Sequence, residues 1–273
     1  MAARIVSNWL IRHLEQLAPT HWAESWDNVG LLLGDATHEP RRILVALDAT
    51  QAVVHEAVDG GYDFLLTHHP IIYDPLKKIT ADTVQGRKLL ALLRAGIHVY
   101  CAHTNLDVAP GGVNTVLFEK LRPLFGEAAP APLLGEGDAP GLGLVAHLRA
   151  PMSLKELAVC IKNELALDIV RFAGAADAVA HKAGLCGGDA SHPRYWQAAQ
   201  AQGCQVFITG DLRYHTAQDA LDAGMTLIDI SHYASEVLVV DALVARLRDL
   251  AQKEKRDIII EASRCGGQVF APV

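Results

Sequence analysis

The alternation of short apolar runs with helical stretches between residues 42 and 101 most constrains the fold of this chain. Spacing and turn residues predict strands at 42–48, 64–67 and 97–101, and helices at 51–58 and 83–93. This order is typical of a parallel sheet whose crossover helices cover its faces. An earlier helix, with apolar residues from Ile5 and Val6 onward at helical spacing, is predicted to end before Pro19.

The second half of the chain has the same α/β character and follows a segment without periodicity. Residues 125–140 are rich in Ala, Pro and Gly and lack regular apolar spacing, which favours a linker. A chain of 273 residues is long enough for two domains. We therefore predict two similar α/β domains, residues 1–124 and 141–273, joined by this linker. In the second domain, Ser153 and Glu156 are predicted to form a capping box at the start of a helix.

Composition narrows the partners and the compartment. Apolar residues make up 51% and charged residues 20% of the chain, so it is able to bury a large globular core. The formal charge is −7 and no long basic run occurs, which argues against a nucleic-acid partner. Five cysteines without a Cys-x-x-Cys pair argue against a zinc ribbon or a disulfide framework. Because no apolar run reaches membrane length, we expect a cytoplasmic protein with no membrane partner.

Two adjacent histidines follow the predicted strand at 64–67. Pro70 ends that strand, because proline has no N–H to donate to a neighbouring strand. Ligands of open α/β sheets collect beyond the carboxyl ends of strands, where His68 and His69 are expected to lie. In an extended backbone the two imidazoles point to opposite sides, so they are able to face two metal ions, or one ion and a neighbouring group. A polar turn with one capping histidine is the simpler alternative.

Two histidine–carboxylate pairs occur at a spacing of four residues beyond other predicted strands. They are His103 with Asp107 and His232 with Glu236. On a helix or a tight turn, residues i and i+4 share a face, so each pair is able to converge on one point. Structural explanations also exist: Asp107 as a turn cap, Glu236 as a first-turn carboxylate, and His103 as a core histidine.

Three clusters of histidine and carboxylate at three strand ends favour one shared metal site. Imidazole and carboxylate donors without cysteine suit Zn, Fe, Mn, Co or Ni. Five candidate ligands exceed the needs of a single catalytic ion, so two divalent metal ions per chain use them better. Two such cations outweigh the charge of Asp107 and Glu236, and the surplus would hold a hydroxide and attract a phosphate-bearing substrate.

Five short motifs resemble those of the Ngg-interacting-factor-three (Nif-three-like) family, whose bacterial members are named type 2 GTP cyclohydrolase I homologues. The resemblance extends over nearly the whole chain, from the first helix to about Val240. The motifs are Trp26-Asp27-Asn28-Val29-Gly30, Thr67-His68-His69-Pro70, His103-Thr104-Asn105-Leu106-Asp107, Thr209-Gly210-Asp211 with Tyr214-His215, and Ser231-His232-Tyr233-Ala234-Ser235-Glu236.

The resemblance implies a fold of two similar α/β domains with a dinuclear metal site between them. The implied metal ligands are His68, His69, Asp107, His232 and Glu236. Glu236 is implied to bridge the two ions. His103 and His215 are implied to line the same cavity, where they would hold ligands in place or act as catalytic proton carriers. The resemblance also implies a ring-shaped homohexamer.

Together these features predict a dinuclear metal-dependent hydrolase acting on a small, nucleotide-like substrate. The resemblance implies a GTP cyclohydrolase-like reaction, in which a metal-bound hydroxide attacks C8 in the imidazole ring of GTP. Two alternatives stay open. One is a phosphoesterase that uses the same ions, and the other is a non-catalytic metal-binding protein with a regulatory or chaperone-like role.

Some positions depart from the family pattern or admit two interpretations. Asp189 and the tail at 265–270 differ from the residues usual in the family. These differences affect the expected contacts with substrate and not the expected metal ligands. Gly111-Gly112 and Gly187-Gly188 each precede a predicted helix. We predict simple turns at both pairs, with a backbone cradle for phosphate as the alternative.

Overall fold

The computed structural model of this chain describes residues 8–135 and 138–271. It consists of two compact units, each discontinuous in sequence. The first comprises Met1–Leu106 and Val240–Gly267, and the second comprises Asp107–Val239 and Gln268–Val273. The predicted apolar positions Ile5 and Val6 lie outside the described residues.

The first unit contains the predicted alternation of strands and helices. Its elements are α1 (Trp9–Leu17), β1 (Gly30–Leu33), β2 (Arg42–Ala46), α2 (Gln51–Asp59), β3 (Phe64–Thr67), α3 (Val84–Ala95) and β4 (His98–Cys101). A short helix, α4 (Thr104–Val108), follows β4 and contains the boundary at Leu106. Near the end of the chain come α10 (Leu238–Lys253) and β11 (Ile259–Ala262).

The five strands of the first unit form one sheet in the order β1-β4-β3-β2-β11. The pairs β11–β2, β2–β3 and β3–β4 are parallel, and β1 is antiparallel to β4. All four residues of β3 are buried, as expected for a parallel strand covered on both faces. One face packs Leu44, Leu65 and Val99 against Val53 of α2 and Leu89 of α3. The predicted parallel sheet with crossover helices is therefore confirmed.

The second unit has more strands and a mixed sheet. Its elements are α5 (Val113–Lys120), β5 (Ala131–Leu134), β6 (Leu142–Ser153), α6 (Leu154–Glu164), β7 (Arg171–Ala173), β8 (Val179–Asp189), α7 (Pro193–Ala201), β9 (Val206–Gly210), α8 (Tyr214–Asp222), β10 (Thr226–Asp229) and α9 (His232–Glu236). The six strands follow the order β5-β6-β8-β9-β10-β7. Only the pairs β8–β9 and β9–β10 are parallel within this described sheet.

Two cores cover the faces of this second sheet. Phe207 and Ile208 are adjacent in β9 and point to opposite faces, as a strand requires. Ile208 belongs to a cluster with Leu157 of α6, whereas Phe207 belongs to a cluster with Trp196 of α7. Helix α6 begins with the predicted capping box: the Ser153 side chain accepts from a backbone N–H, and a side-chain carboxylate accepts from the Ser153 N–H.

The structure departs from the expected domain division in three places. Residues 107–124, which include α5, belong to the second unit and not to the first. The segment 125–140, interpreted as a linker, contains β5, which pairs antiparallel with β6. Pro132 within β5 obscured this strand in the sequence, although an edge strand tolerates a missing N–H. Strand β11 falls in the range assigned to the second domain, yet it pairs with β2 of the first unit. Among the described residues, no helix is long and apolar enough to cross a membrane.

Candidate metal centre

The first unit brings three histidines together at the carboxyl ends of its central strands. His68 and His69 follow β3, and His103 lies two residues after β4. One ring nitrogen of each lies within 4.8 Å of those of the other two. The ring centroids of His68 and His69 are 4.9 Å apart, and both rings lie about as far from His103, at 5.1 and 5.5 Å. Because β3 ends at Thr67, the two neighbours do not alternate as an extended strand would require, and their rings lie side by side.

Each of these imidazoles is hydrogen-bonded at Nδ1 to an oxygen. His68 Nδ1 lies 2.8 Å from the carbonyl oxygen of Ala102, and His69 Nδ1 lies 2.7 Å from Oδ1 of Asp48. His103 Nδ1 lies 2.9 Å from Oδ1 of Asp27. Carbonyl and carboxylate oxygens accept hydrogen bonds, so the imidazole Nδ1 carries the proton and Nε2 carries the lone pair. This is the tautomer that a metal-binding histidine uses when its outer nitrogen is held by an oxygen.

Asp27 is the most enclosed of these oxygen partners. Its side chain is fully buried in the ion pair with His103, and it also accepts from the backbone N–H and the hydroxyl of Thr104. Burial raises the pKa of this carboxyl, but the hydrogen bonds from His103 and Thr104 and the attraction of His103 outweigh it and lower the pKa to about 2. Asp27 is therefore an anion at neutral pH, and its carboxylate holds the His103 ring through Nδ1.

The second unit brings together two carboxylates and one histidine. Glu236 is 4% exposed, and one of its oxygens lies within 4.8 Å of a carboxylate oxygen of Asp107. His232 Nε2 lies 3.1 Å from Oε2 of Glu236, as their spacing of four residues along α9 predicts. His232 Nδ1 lies 2.9 Å from Oδ2 of Asp211. The second unit therefore repeats the imidazole–carboxylate pairing and adds two oxygen donors.

Gly188 gives Glu236 the space that it occupies. This glycine has a φ of +69° and lies in β8, where the register with β9 shifts. A Cβ built at Gly188 would lie 2.4 Å from Oε1 of Glu236, so any side chain there would displace the carboxylate from this position. The predicted turn at Gly187-Gly188 is wrong, because β8 continues through both residues. Their amides are also engaged, with Gly187 donating to Asn114 and Gly188 donating to Ser235, so neither is left to cradle a phosphate.

Two residues next to His232 or bonded to it have unusual backbone conformations. Asp211 has a φ of +51° and Ser231 a φ of +68°, both in the left-handed region that non-glycine residues seldom adopt. Such residues cost about 1–3 kcal/mol each and persist only where their surroundings fix them. The hydroxyl of Ser231 caps α9, and Gln268 of the divergent tail donates to it at 2.8 Å. Two of the three described left-handed non-glycine residues of the second unit thus adjoin His232 or bond to it, and the third is Ala166.

His215 and Asp189 lie outside these sets. His215 is exposed on α8, where its Nδ1 lies 3.2 Å from Oε1 of Gln218. It belongs to none of the described groups whose geometry suits a metal ion. Asp189 ends β8, accepts from Ser191 and pairs with Arg213 at 2.9 Å. Six of the seven predicted site residues therefore lie in two sets of three. His68, His69 and His103 belong to the first unit, and Asp107, His232 and Glu236 belong to the second.

Sequence reasoning missed the residues that orient the imidazoles. The sequence assigns no role of their own to Asp27, Asp48 and Asp211. All three had an available signal. Asp48 lies just beyond β2, at the edge of the sheet where the histidines follow β3 and β4, and the other two belong to motifs that the family resemblance singled out.

The fold and these side chains define a class: a two-unit α/β protein whose strand ends carry histidine and carboxylate groups suited to divalent metal ions. The chain belongs to the Duf34/NIF3 (NGG1p interacting factor 3) family, whose model matches residues 7–265. The relative in Clostridium perfringens named "GTP cyclohydrolase 1 type 2 homolog" is 32% identical and covers 94% of this chain and 97% of its own. A protein of the same name in Streptomyces coelicolor is 33% identical, with coverages of 93% and 90%.

Solved structures of the same family share this fold. The hypothetical protein SA1388 of Staphylococcus aureus superposes with a TM-score of 0.87 at 31% identity and covers 97% of this chain and 98% of its own. Reduced HcgD from Methanocaldococcus jannaschii superposes with a TM-score of 0.76 at 29% identity, with coverages of 93% and 95%. The predicted family and the predicted mixed α/β fold class are therefore confirmed.

Proposed function

We propose that this chain is a metal-dependent hydrolase that acts on a small, nucleotide-like substrate, as the name of its relatives suggests. The proposed ligands of two divalent ions are His68, His69, Asp107, His232 and Glu236. Glu236 is the proposed bridging ligand. The observation that carries the proposal is the hydrogen bond that each histidine makes through Nδ1 to an oxygen, because this bond fixes Nε2 as the metal-binding nitrogen.

The chemistry of the donor set fits a divalent ion of the Zn, Fe, Mn, Co or Ni type. Imidazole nitrogens and carboxylate oxygens are the donors that such ions share in proteins. The nearby thiol of Cys186 does not change this set. Burial, and then the negative charges of Asp107 and Glu236, raise the pKa of Cys186 far above neutrality, so it stays a thiol and not a thiolate ligand.

When bound, the two ions would polarise the substrate and make a water molecule acidic enough to attack it near neutral pH. His103 would serve the reaction as a proton carrier. Its Nδ1–H is held by the Asp27 carboxylate, so Nε2 is the atom that accepts a proton and returns it. Asp27 stabilises the imidazolium that forms and keeps the ring in one orientation. His215 stays a proposed second carrier on the family resemblance alone.

Metal content and turnover test the proposal together. Protein purified without chelator or a nickel column is reconstituted with Mn, Fe or Zn and measured by elemental analysis. We expect saturation at about two ions per chain, as five ligands with two carboxylates allow. Saturation at one ion would contradict the dinuclear site, and no binding would contradict the whole proposal.

The same preparations are then given GTP and a generic phosphate ester, beside a control containing metal alone. Loss of GTP with appearance of a ring-opened product supports a cyclohydrolase, and hydrolysis of the ester alone supports a phosphoesterase. If metal-loaded protein consumes neither substrate, the hydrolase proposal is wrong, and a non-catalytic, regulatory metal-binding protein becomes the better explanation. The family resemblance also leads us to propose a homohexamer, which sedimentation measures directly.

A further inference from the structure

An exposed pair of aromatic side chains stands beside the three histidines of the first unit. Trp26 is 55% exposed and Tyr73 is 53% exposed, although both are large side chains that a fold ordinarily covers. Their ring centroids are 6.1 Å apart and the planes are tilted by 49°. Trp26 also contacts the His103 ring edge-on, with centroids 6.2 Å apart. The aromatic surface is thus continuous with the imidazole cluster.

Hydrogen bonds of their sequence neighbours hold the backbone beside both aromatic residues in place. Asp27, next to Trp26, is fixed by His103 and Thr104. The side chain of Asn28 donates to the carbonyl oxygen of Ile72 at 2.6 Å, directly before Tyr73. Trp26-Asp27-Asn28 therefore does more than make a turn: it exposes an indole, orients a histidine and ties down the loop that carries Tyr73. Surface aromatics fixed in this way lose little conformational entropy when a ligand packs on them.

A cavity beside Tyr73 reaches one of the three histidines, His69. It has a volume of about 390 Å³, and both Tyr73 and His69 line it. Its charged lining residues are of both signs, with Lys88 opposed by Asp48 and Asp74. Such a lining does not select an anion, and its apolar part is supplied by Ile71 and Leu76. The feature of this surface that selects a ligand is therefore its aromatic area.

We propose that Trp26 and Tyr73 form a stacking subsite for a planar heteroaromatic ring of the nucleobase class. At 6.1 Å the two rings contact one another, so the ligand ring packs on their exposed surface and not between them. The cavity then takes the group attached to the ring, beside His69. This inference rests on the proposed function, because it names the part of the substrate that the hydrolase holds next to its metal ligands. It also explains how a neutral ring is recognised beside a lining that does not select an anion.

Equilibrium dialysis with nucleosides tests this subsite without relying on turnover. The probes are guanosine and uridine, with ribose as the control that lacks a ring system, and each is measured on chelated and on zinc-loaded protein. We expect ribose not to bind. Trp26→Ala and Tyr73→Ala should each weaken nucleoside binding roughly 5- to 150-fold, the range expected for one lost aromatic stack. Trp26→Phe should retain more affinity than Trp26→Ala, because it keeps a ring.

The matched control is Phe270→Ala, which removes an aromatic side chain that is 82% exposed in the other unit. It should bind nucleosides as the wild type does. Tighter binding of guanosine would identify a purine, and equal binding would identify any planar base. If neither nucleoside binds, or if Trp26→Ala matches Phe270→Ala, the subsite does not exist. A change of oligomeric state in Trp26→Ala and Tyr73→Ala with unchanged affinity would make this surface a subunit interface instead.

Metal analysis of the same samples separates the two proposals. Both aromatic variants should keep the metal content of the wild type, since neither residue is a proposed ligand. Full metal content without nucleoside binding overturns the stacking subsite alone. Nucleoside binding by a protein that takes up no metal overturns the proposed hydrolase and leaves the subsite standing.

Discussion

The two units position their candidate ligands by different physical means. In the first, His68, His69 and His103 follow regular parallel strands, and side-chain and carbonyl oxygens orient them. In the second, His232 and Glu236 depend on unusual backbone: two left-handed non-glycine residues and a glycine that no other residue replaces without a clash.

Because of this difference, substitutions should impair the two sets of candidate ligands in different ways. Two of the three oxygen partners, Asp48 and Asp27, are side chains, and the removal of either disturbs one imidazole while the sheet beneath it stays intact. In the second unit, by contrast, the strained backbone and the closely packed glycine position several side chains at once. In the first unit, side-chain substitutions should therefore lower metal binding by graded amounts. In the second unit, even small changes of the backbone should lower metal binding severely.

The largest effect is expected for Glu236→Gln. The change removes the negative charge of the proposed bridging ligand, so metal content should fall at both positions and activity should be lost. Elemental analysis of reconstituted protein measures the first and substrate turnover the second. Glu127→Gln, an exposed carboxylate elsewhere in the same unit, is the matched control. Full metal content in Glu236→Gln would remove Glu236 from the ligand set.

His103→Ala should lower the rate about 10²–10⁴-fold, the usual contribution of a general acid or base, while most of the metal stays bound. The reason is that His103 is proposed to carry protons and not to hold an ion. Rates are compared at equal metal occupancy. Loss of an ion in parallel with the rate would instead make His103 a ligand alongside His68 and His69. A purely regulatory metal protein predicts no functional loss in this variant.

Gly188→Ala should weaken metal binding by the second unit about 10- to 100-fold, as changes beside a ligand commonly do. The added Cβ displaces Glu236, and the left-handed backbone is strained as well. Gly203→Ala separates the two causes, because Gly203 has a φ of +79° and open space around its Cβ. Titration of metal into both variants is the measurement. Equal losses would show that strain alone matters and that Glu236 needs no such space.

The smallest effect concerns acid stability in the first unit. The pKa of Asp27 is about 2 in the folded chain, below its ordinary value of 3.8, so its ionised form stabilises the fold above about pH 4. That stabilisation is lost as the pH falls from about 4 toward 2. Asp27→Asn should therefore be less stable than the wild type at pH 6, and the gap should close on acidification. Urea unfolding at several pH values measures the gap, and a gap independent of pH would show that the charge of Asp27 is not its cause.

Local pattern was enough to predict much of the fold. The strands and helices from β2 to β4 and the capping box of α6 are confirmed, because each follows from residues close in sequence. Strand β5 escaped prediction because its apolar residues are few and Pro132 interrupts them. The pairing of β11 with β2 escaped because no local signal states which sheet a strand joins.

The candidate site, like the fold, has a part that the local sequence predicts and a part that it does not. Histidines and carboxylates at strand ends stand out in the sequence, and four-residue spacing places His232 beside Glu236. Their orienting partners come from elsewhere, with Asp27 lying 76 positions from His103 and Asp211 lying 21 from His232. The contact of Gly188 with Glu236 is of the same kind, since it depends on the bulge in β8. Residues that meet only through the tertiary structure have no regular spacing in the sequence, so the sequence does not predict their contact.

The pairing of β11 with β2 has a consequence for how this protein is made. On the ribosome, β2, β3 and β4 emerge well before β11, which ends at Ala262. Until then, the backbone N–H and C=O groups along one side of β2 have no neighbouring strand, and an open strand edge invites pairing with other chains. The whole of Asp107–Val239 is translated during that interval. A nascent chain stalled in the second unit therefore exposes the edge of β2 that β11 later covers.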